Sequence, residues 1–278
     1  MRKLFSLILA LMFASFIVSC GGGEETAEET EEPMAEKPSE MAAPSGYMAM
    51  DVTNGGTITG KVTFAGQIPP KVKLEVTKDV NVCGKVDHYK KDVVVSQDKG
   101  LANVVVKLSN ISEGKAISAM GESFELDQNG CTFVPHVTLV PVGESLTILN
   151  SDGILHNIHT YSDKNPPINK AQPGFKKKMT ETFEKPEIIR VACDVHNWMG
   201  GYIAVADHPY HVVTDKSGNF TITDVPAGTY TVEYWQETLG TKTAEVTVPA
   251  GGEADASLEY APSSAQADMG AQELASSN

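Results

Sequence analysis

The string Cys193-Asp194-Val195-His196-Asn197-Trp198-Met199 sets a thiol, an imidazole and a thioether on one short stretch that follows an apolar run, Ile188 to Ala192. Upstream stands Asn150-Ser151-Asp152-Gly153-Ile154-Leu155-His156-Asn157-Ile158, which offers a second imidazole. A thiolate, an imidazole and a thioether on one tight loop can face a common centre, and an imidazole from a neighbouring strand completes a trigonal plane. Two ring nitrogens, one thiolate and a weak axial thioether form the donor set that suits copper cycling between Cu(I) and Cu(II). Zinc could use the thiol and the two imidazoles but gains little from a thioether. An inert buried thiol beside two ordinary histidines requires three coincidences.

Strands and turns must position these groups. Gly56 to Phe64 alternates, with Ile58, Val62 and Phe64 on one face. Val93–Val95 and Val104–Val106 read as short buried strands. Phe133, Val137, Leu139, Val142, Leu146 and Ile148 are punctuated by Pro135, Pro141 and Gly143. The later part reads Asn219–Ile222, Thr229–Trp235 and Ala244–Val248 with turn residues between. Helical periodicity is hard to find, and the 24 glycines and 15 prolines fit a turn-rich protein. The expectation is all-β, built as packed sheets.

Two family resemblances refine this. Thr214-Asp215-x-x-Gly218-x-Phe220, followed by Val225-Pro226-Ala227-Gly228-Thr229-Tyr230, resembles the second half of a carboxypeptidase-regulatory-like, prealbumin-type β-sandwich. That family's opening Gly-x-Ile-x-Gly-x-Val strand stands far upstream, at Gly56 to Val62, so one sandwich interrupted by another domain is the economical reading. It implies binding or spacing, not catalysis. The interrupting segment, roughly 116–208, resembles the cupredoxins from about Phe124 to Asp207, nearest the amicyanin and plastocyanin branch. The resemblance rests on Val134-Pro135-His136-Val137, Val142 to Leu146, Asn150 to Ile158 and Cys193 to Val205. It implies a Greek-key β-sandwich and one type 1 copper site, with His156, Cys193 and His196 equatorial and Met199 axial. It also implies that Asn157 hydrogen-bonds across to the cysteine loop. His196 is then expected near the surface as an electron port, and Trp198 is read either as part of an apolar docking patch or as a core aromatic. The implied activity is electron transfer without substrate turnover. The implied partner is a redox protein such as a c-type cytochrome or an oxidoreductase. Copper handling without electron transfer, or a structural adhesive sandwich, are the other readings.

The remaining features bear on location. Arg2 and Lys3 precede an apolar run, Leu4 to Val18, that is short for a membrane span. It ends at Ile17-Val18-Ser19-Cys20, which resembles a bacterial lipobox, with Cys20 the expected lipidation site and mature N-terminus. The expectation is an exported protein anchored by lipid in the cell envelope, facing the periplasm or the outer surface, with the outer membrane favoured by Gly21. The expected domains are a signal peptide at 1–20 and an acidic disordered tether at 21–53. The first sandwich takes 54–115 and 209–261, the cupredoxin domain 116–208, and a disordered tail 262–278. The formal charge of −14 disfavours nucleic acid as a partner. Cys83 and Cys131 are expected to pair as a disulfide, since an exported compartment is oxidising. A second metal site with His88 and His136, which repeat the Cys-x4-His spacing, is the alternative. His208 and His211 read as polar surface residues, and Lys176–Lys178 as a solvated strand edge.

Overall fold

The computed structural model describes residues 46–262. The signal peptide, the lipidation cysteine Cys20, most of the acidic tether and the C-terminal tail from residue 263 lie outside the described residues. The regular structure of the described residues is almost wholly strand, with one helical turn, Val80–Cys83, and one 3-10 turn, Ile117–Met120.

Alternation builds two separate apolar cores. In the first, Gly56–Phe64 buries Ile58, Val62 and Phe64, the face expected from the sequence. This strand is central to a sheet with Asn219–Val225 on one side and Glu253–Asp255 and Leu258–Tyr260 on the other. The facing sheet runs His211–Val213, Val105–Leu108, Gly228–Gln236, Gly240–Val248. Residues from both ends of the chain thus share one core, which includes Leu101, Val106, Tyr210, Tyr234 and Tyr260.

The second core lies between two other sheets. One orders Lys178–Thr182, Ser145–Asn150, Phe124–Gln128 and Phe133–Val134. The other orders Asn169–Gln172, His156–Tyr161, Glu187–Ala192, Gly200–Ala206 and Val137–Pro141. Phe124–Gln128 and Ser145–Asn150 are parallel neighbours, as are Val137–Pro141 and Gly200–Ala206. Parallel neighbours need crossover connections, so the chain passes between sheets in Greek-key fashion. Lys178 sits on the edge strand of the first of these sheets. Val105, Val137 and Ala204, with Tyr202 and Trp235 against them, form a third small cluster where the two sandwiches abut.

Two expectations need correction. Tyr47 lies within the stretch expected to be tether, yet it is buried in the first core, and its hydroxyl donates to the Lys115 carbonyl at 2.8 Å. Met48–Ala49 then pairs with Glu113–Gly114. A large aromatic in a polar repeat finds apolar surface within reach and anchors the segment. The second correction concerns Cys83 with Val76 and Val82, expected in the first sandwich. They pack on the second core instead, because a disulfide pulls them there.

Candidate metal centre

Three donors converge. His156 opens the strand His156–Tyr161, Cys193 follows the strand Glu187–Ala192, and His196 lies on the loop that leads to Gly200–Ala206. The register sets His159 opposite Ala192, which brings the start of one strand beside the end of the other. Nδ1 of His156 lies 3.0 Å from Nδ1 of His196. Sγ of Cys193 lies 3.9 Å from the first and 3.7 Å from the second. A first-row metal held about 2.0 Å from nitrogen and about 2.3 Å from sulfur in a plane sets its nitrogen–sulfur edges at roughly 3.7 Å. The triangle therefore fits such an ion. Both imidazoles are fully buried, with Cys193 at 2% and Met199 at 1% exposure. The Met199 N–H donates to the His196 carbonyl at 2.9 Å, and the Cys193 N–H to the Met199 carbonyl at 3.3 Å. These two bonds close the loop and return Met199 to the side of Cys193.

Asn157 ties the two segments. Its Oδ1 accepts the Asp194 N–H at 2.6 Å, and its Nδ2 donates to Asn169 at 2.8 Å and to Asp194 at 3.2 Å. His159, on the opposite face from His156, meets Asp194 at 3.0 Å.

The outer ring nitrogens are also held. Nε2 of His156 lies 2.9 Å from Asp152, whose two carboxylate oxygens accept the N–H groups of Gly130 and Cys131 at 2.6 and 2.8 Å. Nε2 of His196 lies 2.9 Å from Asp79. With the Nε2 protons directed at carboxylates, both Nδ1 atoms face the sulfur, and such outer partners fix ring orientation and tautomer. Burial opposes charge on His156, but Asp152 and the Cys193 sulfur outweigh it and carry the ring up to about 9. Burial opposes the Cys193 thiolate too, yet His156 and the N–H groups of Asn157, His196 and Val195 bring it below the ordinary thiol range. Burial, only partly offset by Asp79, lowers His196. In the metal-free centre these influences favour the thiolate on Cys193, charge on His156 and the neutral ring on His196.

His196 departs from its expected place. Its ring is inaccessible to solvent rather than exposed, because the segment around the helical turn Val80–Cys83 covers it. Cys83 and Cys131 form the disulfide that holds this cover, with Cα atoms 5.3 Å apart. The disulfide removes the reading of a second metal site there. His88 instead bonds the Cys83 carbonyl at 2.9 Å, and His136 pairs with Glu237. Trp198 is partly buried and has one face against the core. It packs on the second core and donates to the Cys131 carbonyl at 3.1 Å, with its ring 5.1 Å from that of His196. His208 and His211, expected at the surface, are buried.

Sequence reasoning missed both carboxylates. Asp152 stands four residues before His156 within the motif itself, a signal that could have been weighed. Asp79 is 117 residues from His196, and nothing local marks it.

Residues 201–260 match the carboxypeptidase regulatory-like domain family. No curated protein matches the sequence. Among solved structures, the chain is similar to a Cu-containing nitrite reductase from Thermus scotoductus SA-01, at 24% identity over 30% of this chain and 22% of that one, with a TM-score of 0.28. The chain therefore spans about a fifth of that reductase's length. A purple cupredoxin from Nitrosopumilus maritimus is 20% identical over 30% of this chain and 98% of its own, with a TM-score of 0.25. A mutant of amicyanin in its Cu(I) form is 18% identical over 31% of this chain and 84% of its own, with a TM-score of 0.28. The sheet order and the buried donor triangle, rather than these similarities, describe the second sandwich. The chain is an all-β protein of two sandwiches, one built in part from the residues that match the carboxypeptidase regulatory-like family and the other carrying a buried Cys-His-His cluster.

Proposed function

We propose that the chain is a single-site copper protein that carries electrons, exported and held to the bacterial envelope by lipid on Cys20. The observation that carries the reading is the triangle of Nδ1, Nδ1 and Sγ with edges of 3.0, 3.7 and 3.9 Å. His156, Cys193, His196 and Met199 would hold the ion, and copper there would supply one-electron redox chemistry. The residues supply rigidity. Asp152 and Asp79 fix the rings, Asn157 fixes the loop, and the surrounding core excludes water, so little has to move when the charge on the ion changes.

Copper delivery to another protein is the competing use of the same donors. The seal over His196 argues against it, because a cargo ion needs a path out and this ring has no exposed edge. The redox partner, a cytochrome or oxidoreductase, would meet the surface around Leu155, which is 45% exposed beside His156.

Cu(II) added to the purified chain is expected to give an intense blue colour that Cys193→Ser abolishes. Rapid reversible reduction without loss of the ion is expected with it. A colourless, copper-free wild type overturns the proposal, and ready transfer of Cu(I) to a chelator would favour delivery.

A further inference from the structure

A second cluster lies on the connector between the strands Gly200–Ala206 and His211–Val213, where the chain leaves the second sandwich and re-enters the first. Asp207, His208 and His211 bring one ligand atom each to within 4.8 Å of one another. Nε2 of His208 lies 3.7 Å from Oδ1 of Asp207, and Nε2 of His211 lies 3.9 Å from the same oxygen. Those separations are too long for hydrogen bonds. Among the described residues, neither Nε2 atom has a hydrogen-bond partner.

We propose that Asp207, His208 and His211 bind a divalent transition metal of the zinc class, as two imidazole nitrogens and one carboxylate oxygen with a further position open to water. A zinc ion about 2.1 Å from each donor sets tetrahedral donors roughly 3.4 Å apart. The Asp207 edges then need to close by only a few tenths of an ångström, within reach of side-chain rotation. The donors are prepared in other respects. His208 and His211 are only 6% and 8% exposed, which limits their freedom, while the more open Asp207 leaves a path for the ion. Nδ1 of His211 donates to the His208 carbonyl at 3.0 Å, which leaves the lone pair on Nε2. Burial lowers the pKa of both rings, so neither has to shed a proton before binding. On His208 the Tyr210 N–H approaches Nδ1 at 3.3 Å. Binding through Nε2 gives up that long bond and moves the ring proton to Nδ1.

The cluster uses no residue of the Cys193 centre. An ion here would pin both ends of the connector between the sandwiches. It would act by holding them, whatever occupies the other site.

The test is zinc binding by the full chain carrying Cys193→Ser, which removes the sulfur donor of the other centre. This chain is expected to retain one equivalent of Zn(II) after gel filtration. Its zinc X-ray absorption edge should report nitrogen and oxygen neighbours, two of them imidazole, and no sulfur. Adding Asp207→Asn, an isosteric change to a side chain without hydrogen bonds among the described residues, is expected to abolish the retained zinc. His208→Gln should do the same, each with an unchanged circular-dichroism spectrum. Zinc should also raise Tm in the Cys193→Ser chain and not in those two variants. No retained zinc in the Cys193→Ser chain, or zinc retained equally after Asp207→Asn and His208→Gln, overturns the proposal. Failure of the copper reading leaves this result untouched, since wild type and Cys193→Ser would then bind zinc equally and Asp207→Asn would still lose it.

Discussion

Replacing Cys83 and Cys131 by serine tests whether the disulfide seals the metal centre. The bond spans 48 residues. In the chain-entropy account a loop of that length is worth about 4 kcal/mol, which is roughly a thousandfold in the folded-to-unfolded ratio. The loss will not be spread evenly. Beyond the packing of Val76 and Val82 on the second core, the cover from residue 73 to residue 91 has few other ties. Lys73–Leu74 pairs with His88–Tyr89, Lys91 donates to Thr132 at 2.8 Å, and Asp79 meets His196. Its helical turn is closed by the N–H groups of Val82 and Cys83 on the Asp79 carbonyl and of Gly84 on the Val80 carbonyl. Without the disulfide this segment opens at far lower cost than the cores do. On a Cys20→Ala background the double variant keeps Cys193 as its single thiol, so a thiol reagent reads that residue alone. In metal-free protein, labelling of Cys193 is expected to accelerate about tenfold or more. Hydrogen exchange at Val82 and Gly84 should rise with it, while exchange at Ile189 and Val191 in the core stays slow. Equal labelling rates with and without the disulfide would refute the idea that the 73–91 segment is a cover.

Asn157→Ala removes the acceptor of the Asp194 N–H and leaves that donor unpaired. It should cost ~1–3 kcal/mol in denaturant unfolding and weaken copper binding by about 10–100-fold in chelator competition; unchanged affinity would deny the residue its bracing role. Glu187 gives the pH prediction. Burial favours its protonated form, but the Ser162 hydroxyl, the Asp163 and Lys164 N–H groups and Asn165 outweigh this and hold it at about 2, against an ordinary 4.5. The folded pKa is depressed, so the stabilisation is complete above about 4.5 and is lost as pH falls through about 2. Glu187→Gln should therefore flatten the acid limb of Tm against pH in that window, and an unaltered limb would count against the network.

The local parts of the centre were legible because the chain delivers them locally. A cysteine, a histidine and a methionine spaced by two residues share one turn, and only His156 needs sheet register to join them. The alternation of Ile58, Val62 and Phe64 announced the first core, since period-two burial leaves one register for such a strand. What was not legible is long-range. Asp79 reaches His196 through a segment that a disulfide hauls across from the other sandwich, so the electron port expected of His196 was assigned without its cover. Tyr47 and the Asp207-His208-Pro209-Tyr210-His211 connector failed for a related reason. Polar neighbours suggested surface, but Tyr47 and Tyr210 are core residues. A buried tyrosine takes the residues beside it inward.

The disulfide does more than close a loop. Asp79, at one end of the covered turn, holds the outer nitrogen of His196. Cys131, at the other sulfur, donates its N–H to Asp152, which holds the outer nitrogen of His156. The carboxylates that orient the two imidazoles are therefore linked, Asp79 through the segment that the disulfide ties to Cys131 and Asp152 through its hydrogen bond from the Cys131 N–H. A force that displaces either segment is carried to both rings, and the bond that shuts His196 away from solvent also keeps the Nδ1 pair aimed at Cys193. Burial and preorganisation thus share one cause here. In a reducing medium they would be lost together: the ring edge of His196 would become reachable as the donor triangle loosened, so an exposed port and a rigid centre are alternatives in this protein.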